Sequence, residues 1–223
     1  MMNFSLTLSA QIAEAIIELI SKNEIKPCSR LIERDLMERF QVSQTVIREA
    51  RLLLESKGVV TTIPRKGTYV NNPSSSELSM LFEIRKSLDI FVISEVALHH
   101  TDEDIQELRN LSLATEAAYQ QKDLSQFFRL SKEFHRKIYQ CSGCLCLEKI
   151  YDSLTTLTDL FHYNAHTSRN IELEDDVIGH RKICDAIESG DVELCKAVVA
   201  QHIEKVHSRD LKVISEFIPE SQA

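Results

Sequence analysis

Three histidines and three cysteines are the residues of this chain whose types and spacing could do chemistry. The stretch SKEFHRKIYQCSGCLC, residues 131–146, sets His135 on a helical pattern and follows it with Cys141, Cys144 and Cys146. His135 shares a stripe with Ser131, Phe134 and Ile138, His180 with Ile183, Cys184 and Ile187, and His202 with Leu194, Ala197 and Val198. Each imidazole therefore falls on the core-facing side of a different helix. One such histidine is ordinarily a hydrogen-bonded core residue. Three in one bundle are harder to dismiss, because burying several polar rings without a partner is costly. Neutral imidazoles that converge suit Zn²⁺ or another late first-row metal. The cysteines carry less. A structural zinc site needs four ligands and there is no second C-x-x-C. A thioredoxin-type motif follows a strand, whereas this one follows a helix. The segment reads as a helix connection with small buried thiols, and Cys184, one turn from His180, as a remote further ligand. His162 and His166, four apart, read as a half-exposed helix face. Arg85 either holds an anion bidentately or pairs with Asp89 one turn on.

The elements that must position these side chains are helices. Beyond residue 73 apolar periodicity and start signals give six, near 75–99, 102–120, 123–140, 144–166, 174–188 and 191–216. Ser74 with Glu77, Thr101 with Asp104, and Asp123 with Gln126 have capping-box spacing, and Gly190-Asp191 separates the last two helices. The segment NNPSSSE marks a domain boundary, giving units at 1–72 and 73–223.

The first unit reads helix, helix, helix, hairpin. Leu8, Ile12, Ala15, Ile16, Leu19 and Ile20 form one stripe. LIERDLMERF is a short second helix, and Ser43 caps a third that buries Val46, Ile47, Ala50, Leu53 and Leu54 and stops at Gly58. VVTTIP and TYVNN flank a basic hairpin tip, RKG. This is the winged helix-turn-helix arrangement, which either serves as a pure protein-interaction module or sets the start of the third helix in the major groove. Gln44, Thr45 and Arg48 are exposed there, and Gln and Arg pair bidentately with adenine and guanine. Arg34, Arg65 and Lys66 add backbone or minor-groove contacts. The charge distribution agrees. Residues 1–72 hold 10 Lys+Arg and 8 Asp+Glu, net +2, while 73–223 hold 16 and 26, net −10. No run is long and apolar enough to span a membrane, and the N-terminus lacks the basic start and cleavage site of a signal peptide. The expectation is a cytoplasmic protein with free thiols.

LIERDLMERFQVSQTVIREARLLLESKGVVTTIPRKGTYV resembles the DNA-binding domain of the GntR family of bacterial transcription regulators, over about Leu8 to Val70. The family pattern is L-x-E-x-x-L-A, then V-S-R-x-x-V-R-E-A-L, then a wing ending in G-x-x-V. The resemblance implies dimeric binding to a short palindromic double-stranded operator, with DNA contacts falling on Arg34, Gln44, Thr45, Arg48, Lys66 and Gly67. Gln44 stands where the family usually has Arg, Val46 where it often has Pro, and Pro27-Cys28 where it has Pro-Gly. Gln44 shifts the expected preference toward adenine. EIRKSLD (83–89), EFHRKI (133–138) and GHRKICDAIESGDVELCKAVVAQH (179–202) resemble the all-α FCD effector domain of the FadR-type branch, and six helices suggest its VanR-like subgroup. That resemblance implies His135, His180 and His202 as metal ligands, with a fourth position, usually Asp, occupied here by Ser131.

The expected protein is thus mainly α, a winged helix-turn-helix domain followed by a six-helix FCD bundle. It is a homodimeric regulator, by resemblance a repressor, responding to a small carboxylate effector. Arg85 and Ser131 line the effector position beside a divalent metal, Zn²⁺ or Ni²⁺ in preference to Mn²⁺. The rival readings are a sensor for which the metal is itself the signal, and a three-His metalloenzyme. The latter lacks an H-E-x-x-H or comparable general base.

Overall fold

Helix starts are set by side chains that satisfy the orphan N–H groups of a first turn. In the computed structural model, described for residues 7–167 and 173–217 (side chains excepting 157, 159–167 and 210–217), Thr7 accepts from Ala10 N and opens α1 (Leu8–Ser21). Ser43 accepts from Val46 N and opens α3 (Gln44–Ser56). Capping boxes at Ser74/Glu77 and Thr101/Asp104 open α4 (Ser75–His99) and α5 (Asp102–Gln120). Asp123 opens α6 (Leu124–Cys141) as a simple cap. The remaining elements are β1 (Arg30–Leu31), α2 (Glu33–Phe40), β2 (Val60–Ile63), β3 (Gly67–Val70), α7 (Leu145–Thr167), α8 (Glu174–Ser189) and α9 (Val192–Phe217). The chain divides into two units, one of Met1–Pro73 with Thr156–Asn164, the other of Ser74–Thr155 and Ala165–Ala223.

In the first unit α1 and α2 pack on α3, around Ile12, Ile16, Ile47, Leu54, Val60 and Val70. The hairpin β2–β3 pairs Thr62 with Thr68 and Ile63 with Gly67. A third strand was not legible in the sequence: β1 pairs Arg30 with Tyr69, so the sheet order is β1-β3-β2. Two residues beside Pro27 carry no period from which a strand could be read. The α1 stripe is also corrected. It centres on Ile12, Ile16 and Ile20, which buries Ala13 instead of Ala15 and leaves Leu8 at its rim, 52% exposed. On α3, Ile47, Ala50 and Leu54 are buried, but Val46 is half-buried and Leu53 lies outside. Cys28 has φ +61 and Gln41 φ +53, left-handed backbone that side chains adopt at a cost.

The six helices expected beyond residue 73, α4 to α9, each lie within one residue of their expected bounds. Among the described residues no strand occurs beyond Pro73. α4 packs on α9, α5 on α6, and α8 on both α9 and α5. Val92, Ile93 and Val96 of α4 meet Phe134 and Ile138 of α6, Ile183 and Ile187 of α8, and Val199 and Ile203 of α9. The α9 stripe needs correction: Leu194 and Ala197 are exposed and Val198 half-buried, and His202 instead lines up with Cys195, Val199 and Ile203.

Candidate metal centre and nucleic-acid interface

Three of the bundle helices bring one histidine each together. His135 from α6, His180 from α8 and His202 from α9 are buried, and one ring nitrogen from each lies within 4.8 Å of the others. His135 Nε2 and His202 Nε2 are 3.2 Å apart. Ser131 Oγ, one turn before His135, lies 3.4 Å from His180 Nε2. Phe134 stacks on the His180 ring at 4.2 Å between centroids. The approach of α8 to α9 depends on Gly179. A Cβ there would overlap the His202 ring, 2.9 Å from its Cε1.

Burial makes these imidazoles neutral. It pushes His180 down to about 3 and His202 to about 3, and His135 well below its ordinary value. The positive charge of Arg85 adds to the effect at all three. Neutral rings with free lone pairs are the form that ligates a metal. Two nitrogens 3.2 Å apart match the roughly 3.3 Å edge of a tetrahedron with metal–nitrogen distances of about 2.0–2.1 Å. Among the described residues His180 Nδ1 is buried with no hydrogen-bond partner, so they leave this cluster unsatisfied. The donor set fits a divalent ion that accepts nitrogen ligands.

Around the cluster the charges are paired. Arg85 Nε lies 3.4 Å from Asp89 Oδ2, both groups buried, and Tyr139 donates to Asp89 Oδ1 at 2.5 Å. Burial raises the Asp89 pKa, and Arg85 and Tyr139 oppose that. The guanidinium carbon of Arg85 is 5.9 Å from the Tyr151 ring centroid. Asp176, one turn before His180, is committed to Arg209 through two hydrogen bonds.

Among the described residues no thiol joins the three histidines. Cys144 and Cys146 are exposed, which corrects their expected burial, and Cys141 is half-buried. Cys144 and Cys146 sit at and just after the α6–α7 turn. Burial pushes Cys141 up to about 12, and Cys184 likewise to about 12. Such thiols are poor nucleophiles. Cys184 does not join the histidine cluster. The side chains of His162 and His166 lie outside the described residues.

In the first unit Gln44, Thr45 and Arg48 are exposed at the start of α3, Arg34 on α2, and Arg65 and Lys66 at the hairpin tip. Arg34 Nε is loosely paired with Asp35 at 3.8 Å and Glu38 at 3.9 Å. Gly67, at φ +118, is pressed by a side chain that sequence reasoning passed over. A Cβ at Gly67 would be 2.6 Å from Arg30 Nε. Arg30 thereby joins the basic wing. Its position in a two-residue strand gave no signal to find it. Glu33 was also passed over; its carboxylate faces Gln44 and Arg48.

A winged helix-turn-helix unit with an arginine- and glutamine-bearing third helix, accompanied by a separate helical bundle with a buried polar cluster, defines a DNA-binding transcription regulator. Comparison with known proteins makes this specific. Residues 8–70 match the profile of bacterial regulatory proteins, gntR family, and residues 80–205 match the FCD domain. An uncharacterized HTH-type transcriptional regulator of Bacillus subtilis, YcbG, is 27% identical over 94% of this chain and 93% of its own. The HTH-type transcriptional repressor RspR of Escherichia coli is 26% identical over 82% and 79%. The structure of E. coli McbR/YncC superposes with a TM-score of 0.81 at 21% identity, covering 96% of this chain and all of that one. The chain belongs to the GntR family of regulators, with an N-terminal GntR helix-turn-helix domain and an FCD domain.

Proposed function

We propose that this protein is a homodimeric operator-binding repressor whose grip on DNA is set by a small organic acid bound beside a divalent metal in the helical bundle. The observation that carries the reading is the meeting of His135, His180 and His202 from three helices in one buried, neutral cluster. These residues would hold the ion. Three nitrogen donors and no carboxylate among them favour Zn²⁺ or Ni²⁺ over Mn²⁺. When bound, the ion supplies a Lewis-acid docking point for a carboxylate. Arg85 contributes positive charge beside the histidines, and Ser131 stands at the cluster with only a hydroxyl, leaving room for an exchangeable ligand. Six helices in the bundle favour the VanR-like subgroup.

Operator reading falls to Gln44, Thr45 and Arg48, with Arg34, Lys66 and Gly67 of the wing and α2 contacting the backbone. Repression is the role that the relative RspR is named for. A palindromic operator requires two copies. The surface a second copy covers is the stripe Met80, Ile84, Phe91 and Leu98 on α4, 54–60% exposed. Ile84, Phe91 and Leu98 recur every seventh residue, the spacing of a seam between paired helices. The effector acts by binding the DNA-competent and incompetent arrangements unequally.

Native mass spectrometry on full-length protein, purified untagged and without chelators, tests the reading. The expected spectrum is a dimer with one metal per chain and a small-molecule adduct whose mass identifies the effector. A metal-free dimer would show that three histidines with Ser131 do not retain an ion.

A further inference from the structure

The surface expected to meet DNA carries a carboxylate, and it faces the side chains expected to read bases. Glu33, at the head of α2, accepts from Gln44 Nε2 at 3.2 Å through Oε2, and the same oxygen lies 3.5 Å from Arg48 Nε. Its other oxygen lies 3.8 Å from Arg51 Nε. Arg51 is anchored in turn, donating to Glu55 at 3.1 Å and to Thr62 of β2 at 2.7 Å. The Glu33 side chain is 33% exposed and that of Arg48 61%. One carboxylate therefore gathers three side chains of α3, and through Arg51 ties them to the wing sheet.

A negative charge near phosphates opposes binding when taken by itself. Its use lies in what it does to its partners. With Nε drawn to Glu33 at 3.5 Å, Arg48 keeps its Nη1/Nη2 end, a fork that can bridge guanine O6 and N7. With one N–H committed, Gln44 keeps Oε1 and a second N–H, the pair that adenine N6 and N7 require. Both side chains are held before DNA arrives, so less rotamer freedom is lost on binding.

We infer that Glu33 is a positioning residue for base readout: without touching DNA it fixes Gln44 and Arg48 in a single reading arrangement. The inference rests on the operator-reading role proposed above for α3. Replacing Glu33 should then damage discrimination between sequences more than affinity for DNA as such.

The test is binding-site selection from a randomised duplex pool with full-length wild-type and Glu33→Gln protein. Titrations of the wild-type-selected duplex and of random duplex follow at two salt concentrations. The expected result is a broadened base preference at the positions read by Gln44 and Arg48. The operator-to-random affinity ratio falls about tenfold, in line with the loss of one good bidentate contact. Random-duplex affinity holds or rises, because a negative charge has left the interface. Glu33→Asp keeps the charge but is one methylene short. It gives the same broadening, so the test stands even if the Gln variant folds poorly. Unchanged preference and ratio in both variants overturn the inference. So does an equal loss on operator and random duplex, the signature of a carboxylate that only supports the fold. If the wild-type protein itself selects no sequence, the operator-reading role of α3 fails, and the inference with it.

Discussion

At the residue scale the histidine cluster depends on a side chain that is absent. Gly179 precedes His180 on α8, and its missing Cβ lets the His202 ring of α9 reach the cluster. Gly179→Ala forces that ring aside in a close-packed interior, where overpacking costs about 1–3 kcal/mol. We expect zinc affinity to fall about 10–100-fold, the range seen when groups supporting metal ligands are lost. Zinc competition titration of the full-length variant, with circular dichroism to confirm the helices, checks it. Wild-type affinity would mean that His202 takes no part in holding the ion. His135 and His180 were legible in the sequence because a polar ring on an apolar period stands out, whereas His202 was assigned to the wrong stripe of α9. Gly179 was not, since a glycine inside a helix looks the same whether it faces solvent or a neighbouring ring. Glu33 was hidden for a similar reason: its partners lie 11 to 18 positions along the chain, beyond any local spacing rule.

At the element scale the six bundle helices were legible almost to the residue, because capping chemistry and apolar periodicity are local properties. Tertiary packing decided the rest. On α9 the apolar positions admit two neighbouring stripes, and contact with α4 and α8 selects the one through Cys195 and Val199. The strand β1 exists because Cys28 turns the chain back, donating its N–H to Val70 O at 3.0 Å while its own φ is +61. A side chain in that conformation costs about 1–2 kcal/mol, part of which glycine would recover against its greater freedom when unfolded. Cys28→Gly should therefore stabilise the first unit by up to about 1 kcal/mol. The expected sign is a higher urea midpoint at unchanged slope, followed by helical dichroism in the full-length chain. A lower midpoint would show that the thiol makes contacts worth more than the backbone strain.

At the scale of the whole molecule, charge and apolar surface divide the work. The acidic excess lies wholly after residue 72, where 26 Asp+Glu stand against 16 Lys+Arg, so phosphates are attracted by the first unit alone. The bundle offers instead the α4 stripe, four large apolar side chains left more than half exposed on one helix face. Isolated exposed leucines are ordinary, but a seam repeating every seventh residue has the form that two copies of one helix bury against each other. Phe91 lies at its middle. Phe91→Asp would place two like charges near one another in that seam, at a cost that a modest interface cannot absorb. We expect the variant to run as a monomer by native mass spectrometry, with its helix content retained. Affinity for a palindromic duplex should fall at least about tenfold, because each copy then binds a half-site alone and the gain from linked half-sites is lost. Affinity for a single half-site should not change, since Phe91 lies outside the DNA-reading unit. A variant that stays dimeric would move the interface off α4, and a monomer with undiminished affinity for the palindrome would remove dimerisation from operator recognition.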